Sequence, residues 1–430
     1  MKKTAAKKVA KVVVDPIRAT IKKFIAESQP ARVYFLAELV KQPSDNPPGD
    51  CAPHAELAAQ LLEHMDFKVE RHRVPEKLVE AAGMKTATNL IVRQKFGKAG
   101  KGGGGSVVAL NAHGDVVAPG LGWTSDPYGA EIRKGVMYGR GVAVSKSDFA
   151  TYAFALLALE HSGAKLNGTV ELHLTYDEET GGEIGPKWLL DKGLSKPDYA
   201  MCAGFAHGIT IAHNGCLHLE VVVEGKSGHA ARPDTGRDAL EAATAMLADL
   251  YALRKSYAKT KSKVPGITSP TLVVGLIEGG INTNVVPDKV TFRIDRRIIP
   301  DENPVKAERE LIAQIKRFAK KHKGMRCTVT RVLLAKPFTA VKGHENLVVS
   351  LQKNARAVMG ENILPHGVPI YTDARHYSAA GIPTVLYGAG PRTLEEANGH
   401  RADENLRLSD LDAATEVVAL TLLDLLGEKS

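Results

Sequence analysis

The chain has 430 residues, 44% hydrophobic and 24% charged, a composition that suits a folded globular protein and leaves room for two domains of ordinary size. Much of its formal net charge of +9 comes from N-terminal lysines and from clusters such as Lys316, Arg317, Lys320, Lys321 and Lys323; with only 5% aromatic residues and no stacking pattern among the basic ones, no nucleic-acid partner is expected. No apolar run is long enough to cross a bilayer, the apolar stretch 12–14 is too short for a secretory core, and Cys51, Cys202, Cys216 and Cys327 lack C-x-x-C spacing, so a cytoplasmic protein without membrane partners, zinc fingers or dithiol redox motifs is expected.

In chain order, residues 1–29 read as a basic extension, followed by amphipathic helices over 32–41 and 54–65. Apolar runs at 89–93 and 106–111 predict buried strands. The glycine-rich stretch between them, 96–106, lacks the Gly-Lys-Ser/Thr ending of a phosphate loop and leads into a strand, so it reads as a connection. Helices over 148–161 and 184–191 alternate with strands over 169–176 and 198–203. That alternation predicts an α/β domain, a mostly parallel sheet with helices on both faces.

The pattern changes at Cys216. Strands over 217–224, 271–278, 290–298 and 326–333 with helices over 237–253 and 304–321 give a βαββαβ order, that of a two-layer α+β unit. From 335 the first pattern returns, with a helix over 344–358, a strand over 384–387 and a closing helix over 409–426. The organisation expected is a first catalytic segment 30–215, an inserted lid or dimerisation domain 216–334, and a second catalytic segment 335–430.

Glu178 and Glu179 follow an apolar strand and open into Gly181-Gly182. Two adjacent carboxylates repel, and a cation held by one with a proton handled by the other resolves the conflict. His113-Gly114-Asp115 follows another apolar strand, and His400 lies near the C-terminus. Catalytic groups of parallel sheets gather at such strand ends.

These motifs, with Gly139-Arg140-Gly141, Lys146, Gly228-His229-Ala230 and Asn284-Val285-Val286-Pro287, occur in an order that resembles the M20 metallopeptidase and amidohydrolase family from about residue 30 onward. The resemblance implies a hydrolase of amide or peptide bonds in small substrates with a free carboxylate. It implies Glu178 as general base and acid for the attacking water, and Asp115 as the group that orients His113. His113, Glu179 and His400 would be ligands of a divalent metal, Zn2+ first, with Mn2+ or Co2+ as alternatives. It further implies His229, often supplied by a partner subunit, as oxyanion donor, so a homodimer is expected. Asn284 and Arg297 would hold the substrate, with Arg296 the register alternative. The turn Gly388-Ala389-Gly390 would offer bare amides to a carboxylate.

Two positions depart from the family. Val144 stands where a bridging aspartate belongs, and Gly204 where a second carboxylate does. Three explanations remain open: one ion rather than two, held by two histidines and a carboxylate; substitution by Asp148, His207 or His213; or loss of hydrolysis, leaving a protein that binds a metal or small ligand.

Overall fold

The computed structural model describes residues 15–97 and 104–428. The expected 1–29 extension is corrected from residue 16 onward, and its residues 1–14, like 98–103 of the glycine-rich connection, lie outside the described residues. Pro16–Glu27 is a helix capped by Asp15, whose carboxylate accepts from the amide of Ile17. Ile21 and Ile25 on its inner face are buried in the main core.

The large sheet has nine strands. At its centre Gly168–Thr175, Ser106–His113, Tyr199–Cys202 and Thr384–Leu386 run parallel, while Val69–Arg73 and Thr88–Phe96 add antiparallel strands at one edge. Every residue of Gly168–Thr175 is buried, as a strand covered on both faces requires. Helix Lys146–His161 is buried nearly all round, packed between this sheet and helices Gln29–Lys41 and Leu408–Leu426. Among the described residues no helix is long and apolar enough to cross a membrane.

A separate four-stranded antiparallel sheet is ordered Thr271–Gly279, Lys289–Ile298, Gly215–Glu224, Arg326–Ala335. Alternation along Gly215–Glu224 turns Leu217, Leu219, Val221 and Val223 toward helices Ala239–Tyr257 and Pro304–Ala319, where they form a core of their own. Cys216 and His218 therefore take the other face. On the neighbouring strand Arg296 turns to the helix side, paired with Glu302 and stacked on Tyr257, whereas Asp295 and Arg297 share the face of Cys216 and His218.

Candidate active site

His113 ends its strand opposite Thr175, the last residue of the neighbouring parallel strand. Beyond Thr175 the chain makes one short helical turn, Glu178–Thr180. Amides of Thr180 and Gly182 return to the carbonyl of Asp177, and Gly181 and Gly182 adopt φ of +121° and +65°, which only glycine takes without strain. Gly114 is dictated by packing, since a Cβ there would stand 2.4 Å from the Tyr176 ring.

Asp115 ties the two strand ends together. Its Oδ1 accepts from the amide of Glu178 (3.3 Å), and its Oδ2 accepts from the amide of Glu179 (3.1 Å) and from Asn46 Nδ2 (3.0 Å). His113 Nδ1 lies 2.9 Å from the carbonyl oxygen of Asp115, which only accepts, so this nitrogen carries the hydrogen. Nε2, the nitrogen left free for a metal, faces Glu178 Oε2 at 4.0 Å. On the far side His400 Nε2 is 3.3 Å from Glu179 Oε1. The His400 side chain is 54% exposed, against 7% for His113.

The His400 loop is bent, with positive φ at Asn398, His400 and Asp403. It is fastened by Glu404, buried with Arg140 at 2.6 Å and accepting from the amides of Ala143 (3.1 Å) and Val144 (3.3 Å).

Burial, together with Glu179, Asp373 and Asp115, pushes the Glu178 carboxyl well above the usual range. Burial opposes a charged His113 ring, but Glu178 and Asp115 outweigh it and hold its pKa well above normal. A hydrogen bond to Glu179 raises His400. So many buried acids drive both imidazoles toward positive charge, and this donor set of two imidazoles and adjacent carboxylates fits a divalent cation. His113, Glu178 and Glu179 offer ligand atoms within 4.8 Å of one another.

The cluster opens into a cavity of about 360 Å³ that both sheets help to line. Val144, Phe205, Ile370 and Leu394 supply apolar wall, and Arg297, Asp295 and His218 come from the smaller sheet. Val144 and Gly204 both line it. A Cβ at Gly204 would meet the amide nitrogen of Tyr387 at 2.7 Å, so the backbone here leaves no room for a ligating side chain.

The remaining expected residues have these surroundings. Asp148 lines the cavity, but its carboxylate accepts from the amides of Ala389 (2.7 Å) and Gly204, and burial raises its pKa to about 7. His207 lies elsewhere, with Nδ1 3.0 Å from Glu361 and Nε2 3.4 Å from Asp410. His213 spends Nδ1 on the carbonyl of Asn214 and Nε2 on the amide of Thr372. Neither histidine lines the cavity. Two amides of the 388–390 turn are used internally, Ala389 toward Asp148 and Gly390 toward the carbonyl of Gly204. Gly388 serves close packing, because a Cβ would stand 2.1 Å from Asp148. His229 and Asn284 sit together at an exposed tip, where the amide of Ala230 donates to the carbonyl of Asn284 (3.0 Å), and neither lines the cavity. Arg297 does line it, held by Asp295 through two bonds of 3.0 and 3.1 Å and lying over Tyr371.

Sequence reasoning missed Asp373, a buried acid on the cavity wall whose Oδ1 has no hydrogen-bond partner among the described residues. Burial raises its pKa to about 6. The motif spacing also left out Glu404.

A family model described as peptidase family M20/M25/M40 matches residues 109–424. A succinyl-diaminopimelate desuccinylase of Stenotrophomonas maltophilia is 28% identical over 402 residues, covering 88% of this chain and 95% of that protein. An acetylornithine deacetylase of Myxococcus xanthus is 27% identical, covering 87% and 92%. The solved structure of the dipeptidase Dug1p from Saccharomyces cerevisiae superposes with a TM-score of 0.77 at 14% identity, covering 96% of this chain and 99% of that one. Members of the matched family depend on divalent metal ions, which agrees with the donor set at the strand ends. The chain belongs to peptidase family M20/M25/M40 and is a hydrolase that acts on amide bonds.

Proposed function

We propose that the chain hydrolyses an amide or peptide bond in a small substrate with a free carboxylate, such as an N-acyl amino acid or a dipeptide. His113, Glu179 and His400 would hold the ion, which polarises the scissile carbonyl and acidifies the attacking water when bound. Glu178 takes the proton from that water and delivers it to the leaving nitrogen. Asp115 fixes the His113 tautomer and the direction of both glutamates at once. The cavity of about 360 Å³ suits a substrate of this size. Desuccinylase and deacetylase relatives support an N-acyl amino acid as the first class to test.

The observation that carries this reading is Glu178 itself. Its carboxyl is largely buried, raised in pKa, and held beside His113 by a backbone that Asp115 clamps. Glu178→Gln keeps the shape and removes the base. Turnover should fall by about 10²–10⁴-fold while the metal content stays that of the wild type. Activity surviving the change would assign the base elsewhere. A metal-replete wild type inert toward a panel of N-acyl amino acids and dipeptides would favour the alternative, a protein that binds without hydrolysing.

His229 and Asn284 would reach the substrate from a second copy of the chain, which makes a homodimer the working assembly. Zinc is the first metal to test, before manganese and cobalt. We assign the enzyme to the cytoplasm, acting without nucleic-acid or membrane partners.

A further inference from the structure

A second group of metal-ligating side chains stands on the wall contributed by the smaller sheet. Cys216, His218 and Asp295 each offer a donor atom, all within 4.8 Å of one another. Strand geometry aims them together. Cys216 and His218 are two residues apart on one strand, and Asp295 lies directly across from His218 on the next.

Cys216 Sγ is 3.1 Å from His218 Nε2, Nε2 is 3.2 Å from Asp295 Oδ2, and Sγ is 3.8 Å from Asp295 Oδ1. One ring nitrogen thus faces a thiol and a carboxylate together, although it can serve only one hydrogen bond. A nucleophilic triad needs thiol and carboxylate on opposite nitrogens of the ring, so this arrangement does not activate the cysteine. Convergence on a single point is what a bound ion demands. Usual zinc bond lengths and tetrahedral angles give sulfur–nitrogen and nitrogen–oxygen edges of about 3.6 and about 3.3 Å; the nitrogen–oxygen distance matches, and the sulfur–nitrogen distance of 3.1 Å must open by about half an ångström on binding.

Arg297 pairs with Asp295 through both oxygens and so fixes the carboxylate. Its positive charge opposes a cation, and the thiolate formed on binding offsets it, because a ligating thiol loses its proton to solvent. Cys216 is fully buried, whereas His218 and Asp295 line the cavity, so the remaining coordination position opens inward.

We propose that Cys216, His218 and Asp295 form a site for a thiophilic divalent ion of the zinc class, distinct from the cluster of His113, Glu179 and His400. A substrate carboxylate entering the cavity would meet this ion beside Arg297. The metal site itself stands independently of the hydrolytic reading, on which only the approach of a substrate carboxylate rests.

The test is absorption during Co2+ titration of the full-length protein previously dialysed against chelator. A thiolate-to-cobalt charge-transfer band in the near ultraviolet is expected, saturating at one ion per chain. Cys216→Ser should abolish it, and His218→Ala should raise the Co2+ needed for half-saturation about tenfold or more. Cys202→Ser, and the double variant Glu179→Gln with His400→Ala, should keep the band, the latter having lost hydrolysis. Absence of the band in the wild type, or its survival in Cys216→Ser, overturns the proposal. Should Cys216→Ser not fold, the partly exposed His218→Ala decides, and an unchanged titration there overturns the proposal equally.

Discussion

At the scale of single residues, Asp115 has the widest reach. Its carboxylate accepts from the amides of Glu178 and Glu179 and its main-chain carbonyl accepts from His113, so three groups take their direction from one residue. Asp115→Asn turns one acceptor into a donor aimed at amides that also donate. Metal affinity should fall by about 10–100-fold, measured by competition with a chromophoric chelator, with circular dichroism unchanged. These residues were legible because each follows a strand of largely apolar residues and opens into a glycine-containing turn. Asp373 and Glu404 were illegible for the opposite reason: each sits in a polar stretch, and its partners come from remote parts of the chain. The surroundings of the 388–390 turn were illegible for the same reason: the amides of Ala389 and Gly390 have partners in Asp148 and Gly204, whose proximity only the fold reveals.

At the scale of elements, the parallel strands were legible as continuous apolar runs and the inserted sheet as clean alternation. The first helix was hidden by its lysines, since its buried face shows in sequence only as Ile21 and Ile25. Its anchor is Asp424, which accepts from Arg18 on that helix, from Ser350 and Asn354 (3.0 Å each) and from Lys353 (3.1 Å). Burial alone would raise the Asp424 carboxyl, but the bonds from Asn354 and Lys353 and the charge of Arg18 hold it below the ordinary range. A carboxyl depressed in the folded state stabilises above its unfolded pKa of about 4, and that stabilisation is lost as pH falls through the folded value. Asp424→Asn should therefore cost about 1 kcal/mol at pH 7 in urea unfolding. The gap from wild type should close in acid, and a gap independent of pH would contradict the assignment.

At the scale of the whole molecule, the cores of the two sheets flank the cavity, and His229 and Asn284, exposed at their tip, are not part of its lining. A site completed by a second copy makes a quantitative demand on mixtures. When His229→Ala and Glu178→Gln proteins are unfolded and refolded together in equal amounts, half the dimers are mixed, and each has one intact site. About a quarter of wild-type activity should return, whereas a site completed within one chain would give none.

The link from Glu404 to Arg140 and to the amides of Ala143 and Val144 makes the two cavity-rim segments a single mechanical part. Any redesign of specificity that moves the Val144 side will drag the His400 side with it, so variants there must be selected in combination and will interact strongly when crossed.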